Sequence, residues 1–142
     1  MKNYEHWSAP FYYHITCKML SLQFSHFFAK GFNAFKNDGE FKEKVADLFY
    51  NTADAISLKY EKLGNSFNVD ATDDLLSIKS NDSEFLLNRQ TPNRQIWLSS
   101  PVSGSLKFEY NNENDKWTDI KDPKNEISAC LSNEIDKVLS LK

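Results

Sequence analysis

Residues 84–100 read EFLLNRQTPNRQIWLSS and contain two runs in which apolar and polar residues alternate. Alternation with period two indicates β-strands, and the polar Thr91-Pro92-Asn93 between the runs indicates a turn. One face of the resulting strand pair receives four apolar side chains: Phe85, Leu87, Ile96 and Leu98. The other face receives the amides Asn88, Gln90 and Gln95, together with Leu86, Ser99 and one large ring, Trp97. We therefore predict two antiparallel strands that are covered on one face and open on the other.

Similar short runs continue on both sides of this stretch. They read FNVDA, LLSIK, SLKFEY and KWTDI, and polar segments such as SNDS, PVSG and NNENDK separate them. Short runs with turn signals at this spacing favour antiparallel strands joined by tight connections. Five or six strands are expected in all.

Helical patterns flank the strands. From Asp38 to Gly64, which we take as the cap and the stop, apolar residues recur with helical spacing at Phe41, Val45, Leu48, Phe49, Thr52, Ile56 and Leu63. A second helix is predicted after Asp122 and Pro123, with an apolar stripe at Ile127, Leu131, Ile135, Val138 and Leu139. The predicted order of elements, a helix followed by strands and a second helix, favours an α+β fold. We expect a two-layer sandwich with two helices packed on one face of an antiparallel five- to six-stranded sheet.

The charge pattern divides the chain near residue 37. Residues 1–37 carry four lysines against one glutamate and are rich in aromatic residues, whereas residues 38–142 carry 13 basic and 19 acidic side chains. A basic segment that is poor in acids fits an organelle-targeting sequence. A disordered or loosely docked extension is the alternative. We therefore expect an organelle-targeting segment at 1–37 and one domain at 38–142.

The composition of the predicted domain excludes several kinds of chemistry. All three histidines, His6, His14 and His26, precede residue 38, and the chain has only two cysteines, Cys17 and Cys130. Catalytic triads, zinc sites and cysteine-bound clusters need imidazoles or several thiolates, so none is expected. We expect Cys130 to serve packing. No apolar run is long enough to suggest a membrane span.

Two surfaces remain as candidates for function. Helical spacing gathers acids opposite the apolar stripe of the first helix: Glu40, Glu43, Asp47, Asp54 and Glu61. Such a row can bind hard cations weakly, and the alternative is a solvated helix face. The open sheet face carries Trp97 beside Asn88, Gln90 and Gln95, which is typical of a docking surface. Trp97 covering its neighbouring strand is the alternative there.

A nucleic-acid platform is a further hypothesis for the sheet face, since Trp97 lies near the only arginines, Arg89 and Arg94. The acidic balance of residues 38–142 argues against it. We expect neither nucleic-acid nor membrane binding.

Residues 88–104, NRQTPNRQIWLSSPVSG, closely resemble the signature stretch of the frataxin family, which commonly has the form NKQTPNKQIWLSSPxSG. An acidic first helix, an LLSIK strand, a KW strand and a terminal helix flank it in the family's order, so the resemblance covers residues 40–142. It implies a sandwich of two helices on an antiparallel sheet.

The resemblance also implies a function. Frataxins are small mitochondrial proteins that bind iron, Fe²⁺ or Fe³⁺, weakly. They assist iron–sulfur cluster assembly by docking on the cysteine desulfurase and scaffold complex and promoting sulfur transfer, and they are credited with ferroxidase activity. They act mainly as activators or iron chaperones. A metal-independent allosteric activator is the alternative role. The implied state is a monomer or a weak iron-dependent oligomer in the matrix of a mitochondrion or a mitochondrion-derived organelle.

The family's site residues transfer by position. The implied iron ligands are Glu40, Glu43, Asp47, Asp54 and Asp70. The implied docking residues are Asn88, Gln90, Asn93, Gln95, Trp97 and Lys107. The acidic row is thinner than is usual in the family, because positions where acids are common carry Lys42, Lys44, Asn51 and Asn68 here.

Overall fold

The elements follow one another in the order helix, six strands, helix. The computed structural model describes residues 34–80 and 82–140. Its helices are α1, Asp38–Lys59, and α2, Ile127–Ser140. Its strands are β1 Phe67–Ala71, β2 Leu75–Ser80, β3 Ser83–Gln90, β4 Gln95–Ser100, β5 Gly104–Asn111 and β6 Lys116–Asp119. Short 3₁₀ turns at Glu61–Ser66 and Thr91–Asn93 precede β1 and β4.

All six strands form one antiparallel sheet in which each strand pairs with the next along the chain. The predicted alternation is confirmed, since Phe85, Leu87, Ile96 and Leu98 are all buried. Residues from both helices join them in a single core, including Phe41 and Phe49 of α1 and Leu131 and Ile135 of α2. The α+β sandwich is therefore confirmed, with six strands.

The start of α1 differs by one residue from the prediction. Asn37, in extended conformation, is the N-cap, and its side-chain Oδ1 accepts a hydrogen bond from the backbone N–H of Glu40 at 3.0 Å. Asp38, the predicted cap, is already helical. Either residue type can cap a helix. Asp38 is engaged elsewhere, because its carboxylate accepts hydrogen bonds from Arg94.

The end of α1 also corrects the prediction. The helix ends at Lys59, and Tyr60 is the C-cap. Tyr60 is buried, and its hydroxyl donates to Asp136 of α2 at 2.5 Å. Leu63, which was predicted to lie in the apolar stripe, is 39% exposed in the following 3₁₀ turn. Gly64 occupies a positive φ inside that turn and does not stop the helix.

The second helix begins later than predicted. Asp122 accepts hydrogen bonds from the N–H groups of Lys124 and Asn125 in a local turn, and α2 starts only at Ile127. The chain between β6 and α2 is held by a bridge of Thr118 with Glu126, which delays the helix. The predicted apolar stripe from Ile127 to Val138 is buried.

Phe35 belongs to the core, although the charge pattern drew the boundary at residue 38. It is 6% exposed, and its ring centroid lies 5.4 Å from that of Phe41, 5.1 Å from Tyr110 and 6.0 Å from Trp117. The targeting role of residues 1–37 stays a prediction, and residues 1–33 lie outside the described part. No helix in the described part is long and apolar enough to cross a membrane.

Candidate functional site

The sheet face that the helices leave uncovered carries Trp97 near its middle. Strand register places Trp97 of β4 between Asn88 of β3 and Lys107 of β5. The next row contains Gln90, Gln95 and Glu109. We define the sheet patch as Asn88, Gln90, Gln95, Trp97 and Lys107. The predicted docking residues on the strands are therefore brought together in two adjacent rows.

Trp97 is half-buried and is held by contacts on two sides. The Lys107 Nζ lies 4.4 Å from the ring centroid, a cation–π contact. The Trp97 Nε1–H donates to Gln95 Oε1 at 3.0 Å. The Gln95 amide in turn donates through Nε2 to Glu109 Oε1 at 2.7 Å. The side chain that centres the sheet patch is thus fixed within a network of polar contacts.

Asn93, the remaining predicted docking residue, lies off the sheet. It is exposed in the 3₁₀ turn Thr91–Asn93 that joins β3 to β4. This turn carries Asn93 beyond the ends of the two central strands, at the edge where Gln90 and Gln95 pair. Asn93 therefore lies at the turn next to the sheet patch and not on the strands that form it.

The two arginines of the signature stretch serve structural contacts that the sequence did not reveal. Arg94 is buried in a left-handed conformation with φ of 50°. Its Nη1 donates to the backbone oxygen of Phe35 at 2.8 Å, and its Nε and Nη2 donate to Asp38 Oδ1. Arg89 Nη1 donates to the backbone oxygen of Asp73 at 2.8 Å. For Arg94, the one signal in the sequence that could have indicated a structural role was its position directly after a proline-containing turn.

Acidic side chains line the outer side of α1, and we define the acidic helix face as Glu40, Glu43, Asp47 and Asp54. All four are exposed. Glu40 accepts a hydrogen bond from the backbone N–H of Lys36 at 2.7 Å. The other three carboxylates make no hydrogen bond or ion pair with the described residues. Asp70, the fifth predicted iron ligand, is exposed on β1 and accepts a hydrogen bond from Asn68 at 2.7 Å.

Two side chains at the borders of the acidic helix face, Lys44 and Tyr50, bind residues of neighbouring turns. Lys44 Nζ lies 3.0 Å from Asp115 Oδ1 and 5.2 Å from the Tyr110 ring centroid, so its charge is drawn toward the β5–β6 turn. The Tyr50 hydroxyl donates to Asp73 Oδ1 at 3.1 Å, and this bond raises the pKa of Tyr50. It also joins α1 to the acidic β1–β2 turn.

The carboxylates do not converge on a point. Within residues 34–80 and 82–140, no group of three or more His, Cys, Asp and Glu side chains is placed to hold a metal ion. A cation on the acidic helix face would therefore keep most of its water ligands. Open sites of this kind bind hard cations weakly and discriminate poorly among them.

Cys130 is packed rather than reactive. It is 6% exposed, and burial, with Glu134 adding to the effect, raises the pKa of its thiol to about 11. Because the thiolate is the nucleophile and the metal ligand, this thiol is inert near neutral pH.

Comparison with known proteins shows the family to which the chain belongs. The model of the frataxin-like domain matches residues 34–141, which includes both helices and all six strands. The chain belongs to the frataxin-like family. A mitochondrial frataxin of Caenorhabditis elegans is 31% identical over 100 residues, which are 69% of this chain and 68% of that protein.

Two further mitochondrial frataxins match shorter segments of this chain. That of Dictyostelium discoideum is 44% identical over 71 residues, covering 49% of this chain and 36% of the relative. That of Arabidopsis thaliana is 41% identical over 54 residues, which cover 37% of this chain and 29% of the relative. The match thus spans only about a third of the length of these two frataxins.

Solved frataxin structures show the same fold. Frataxin from Psychromonas ingrahamii is 32% identical with a TM-score of 0.56, covering 71% of this chain and 90% of that one. A trimeric frataxin from Saccharomyces cerevisiae with its full-length N-terminus is 23% identical with a TM-score of 0.59, covering 68% and 79%. A ferrous complex of the yeast trimer gives a TM-score of 0.58 at 23% identity, covering 68% and 86%.

Proposed function

We propose that this frataxin-like chain is an iron-binding accessory protein of iron–sulfur cluster assembly. It docks through the sheet patch on a complex of cysteine desulfurase and scaffold protein and promotes sulfur transfer there. One observation carries the proposal: Trp97 is held at the centre of the uncovered sheet face by Lys107 and Gln95. The ring is held in place and yet is only half-buried, so part of it stays accessible to a partner.

The chemistry of the sheet patch suits a protein partner. Aromatic residues set among hydrogen-bonding groups are enriched in interface centres, and they dominate the binding energy there. Asn88 and Gln90 flank the ring with amides that can pair with a partner's backbone, and Asn93 adds another amide at the turn. Lys107 adds a positive charge, which suits an acidic or carbonyl-rich partner surface.

Iron would bind on the acidic helix face, with Asp70 as a further ligand from β1. Support comes from the exposure of these carboxylates and from the yeast relative, which has been solved in a ferrous complex. Carboxylate oxygens suit iron in either oxidation state, and the open geometry predicts weak binding of Fe²⁺ and Fe³⁺. The proposal includes iron delivery and the ferroxidase activity that is associated with the family.

The proposed location is a mitochondrion or a mitochondrion-derived organelle, in the matrix. Three relatives are mitochondrial frataxins, and residues 1–37 have the basic, acid-poor composition of a targeting segment. The proposed state is a monomer or a weak iron-dependent oligomer, for which the trimeric yeast relative is a precedent.

A metal-independent allosteric activator is the second candidate. The dispersion of the carboxylates favours it, since no enclosed cation site occurs in the described part of the chain. In this case the acidic helix face would dock on a basic partner surface by charge complementarity.

Cysteine desulfurase turnover separates the candidates. The desulfurase–scaffold complex is assayed with and without this protein, each with ferrous iron and with a chelator. We expect turnover to rise when the protein is added. A further rise with iron supports the iron-binding role, and an equal rise with the chelator supports the allosteric role. Unchanged turnover under both conditions contradicts the docking proposal.

A further inference from the structure

Glu109 is connected to Trp97 through a single intervening side chain. Gln95 accepts the indole N–H of Trp97 through Oε1 at 3.0 Å and donates through Nε2 to Glu109 Oε1 at 2.7 Å. An indole N–H can only donate, and an ionised carboxylate can only accept. The amide between them satisfies both groups in only one orientation. Glu109 therefore determines which end of Gln95 faces Trp97.

The position of Glu109 strengthens this effect. Glu109 lies directly opposite Gln95 in the β4–β5 register, two residues from Lys107 on the same strand and face. It is half-buried, so water screens its contact with Gln95 less than it would on a fully exposed surface. A hydrogen bond to a charged acceptor is also shorter and stronger than a neutral one.

We propose that Glu109 is a positioning residue for docking: acting through Gln95, it holds the Trp97 ring in the orientation that the partner protein contacts. This inference rests on the proposed function of the sheet patch. A side chain that is fixed before association loses less conformational freedom on binding. Glu109 would thus favour complex formation while the partner contacts Trp97 itself.

The arrangement also specifies what the partner must offer. The indole N–H is already paired within the domain, so the partner has no need to supply an acceptor for it. Lys107 covers one side of the ring at 4.4 Å. The partner is therefore expected to place apolar surface, such as an aliphatic or proline side chain, against the remaining ring surface.

Reversing the polarity at position 109 tests the network. In Glu109→Lys, residue 109 becomes a donor, so Gln95 Nε2 loses its acceptor and the orientation of the Gln95 amide toward Trp97 is no longer fixed. In the double variant Gln95→Glu/Glu109→Lys, a carboxylate at position 95 can accept from both neighbours. The matched control is Glu113→Lys, the same charge change at an exposed residue whose side chain makes no hydrogen bond with the described residues.

The direct readout is the indole ¹H–¹⁵N resonance of Trp97, identified by its loss in Trp97→Phe. We expect exchange of this proton with water to be about tenfold faster in Glu109→Lys, the order expected for loss of a charge-supported hydrogen bond. Exchange should return close to the wild-type rate in the double variant and stay unchanged in Glu113→Lys. Unchanged exchange in Glu109→Lys would overturn the proposal.

The functional readout is the concentration of this protein that gives half-maximal stimulation of the desulfurase. Glu109→Lys should raise it severalfold while maximal stimulation is kept. If exchange quickens and half-saturation stays at the wild-type value while Trp97→Ala raises it, Glu109 has no positioning role. If Trp97→Ala has no effect on stimulation, the docking function fails independently of the exchange result. Should Glu109→Lys not fold, Glu109→Gln provides the same tests with a smaller expected change in the same direction.

Discussion

The sheet patch and the acidic helix face differ in how their side chains are held. Trp97 of the sheet patch contacts Lys107 and Gln95, and Gln95 also contacts Glu109. Glu43, Asp47 and Asp54 of the acidic helix face contact no other side chain in the described residues through a hydrogen bond or an ion pair. Both surfaces lie on regular elements of the same domain, so the difference lies in their side chains.

This difference matches two kinds of ligand. A protein interface gains from side chains that are ordered before binding, because less entropy is then lost on association. A hydrated cation instead needs carboxylates that can move to meet it, and it tolerates an irregular site. The sheet patch is therefore suited to specific docking, and the acidic helix face to weak and adaptable binding of cations.

The largest expected effect on docking comes from truncating Trp97. The matched comparison is the same truncation of its neighbour Leu98. Trp97→Ala should weaken docking by about 2 kcal/mol or more, roughly a thirtyfold rise in half-saturating concentration, with a modest loss of stability. Leu98 is 1% exposed and lies on the opposite face of β4. Leu98→Ala should therefore lower the free energy of unfolding by about 2–5 kcal/mol. Desulfurase stimulation and urea unfolding measure the two effects.

The pair is informative because the two residues are adjacent in sequence and differ mainly in the face that they occupy. Trp97 would be a structural residue if Trp97→Ala lost stability on the scale of Leu98→Ala and stimulated the desulfurase normally at a permissive temperature. The sheet patch would then lose its proposed role.

A smaller effect is expected on the acidic helix face. The variant Glu43→Gln/Asp47→Asn/Asp54→Asn should weaken ferrous iron binding severalfold in anaerobic calorimetric titration. The domain should stay folded, and removing repulsion between neighbouring carboxylates should stabilise α1 slightly, by about 0.2–0.5 kcal/mol per pair. The three side chains are exposed and make no polar contact that the substitution would break.

The control for this experiment removes negative charge elsewhere on the domain. Asp82→Asn/Glu113→Gln changes two exposed carboxylates outside α1. Iron binding should stay near the wild-type level in this variant. Equal binding in the triple variant and the wild type would remove α1 from the proposed iron site.

The smallest effect concerns a carboxylate that does have partners. Hydrogen bonds from Lys59, and then from Tyr60, hold the pKa of Asp136 below its ordinary value of 3.8. A lowered folded-state pKa contributes stability above pH 3.8 that is lost as the pH falls through the folded-state value. Asp136→Asn should cost about 0.5 kcal/mol at pH 7, since the pair is largely exposed.

This cost should shrink between pH 7 and a pH well below 3.8, because protonation removes the charge from the wild type as the pH falls through the lowered folded-state pKa. Urea unfolding at both pH values gives the comparison. An equal cost at the two pH values would show that the charge of Asp136 does not contribute.

The arrangement of the strands could be predicted from the sequence because it depends on local geometry. Successive side chains of a strand point to opposite faces, so the spacing of Phe85, Leu87, Ile96 and Leu98 was enough to assign the buried face. The same parity placed Trp97 on the uncovered face. Helical spacing also placed Glu40, Glu43, Asp47 and Asp54 on the exposed side of α1. Glu61, which was predicted to lie in the same row, begins the 3₁₀ turn after the helix.

Contacts between distant segments could not be predicted in this way. Arg94 bonds to Phe35, 59 residues earlier, and to Asp38. Its contact with Asp38 accounts for the cap at Asn37, a choice that local preference leaves open. The network from Glu109 to Trp97 depends on the β4–β5 register, which period-two patterns do not determine. Whether the predicted iron ligands on α1 and β1 meet at one cation site likewise depends on how these elements pack.

The bond from Arg94 to Phe35 restricts how the chain can be processed. If the segment before the domain is removed in an organelle, as we propose, a cut at the charge boundary after residue 37 would take Phe35 from the core. Losing a buried aromatic side chain costs about 3–5 kcal/mol, and a guanidinium that is 10% exposed would also lose a carbonyl acceptor. Such a product would be a ready substrate for quality-control proteases. A durable mature protein therefore requires cleavage upstream of Phe35.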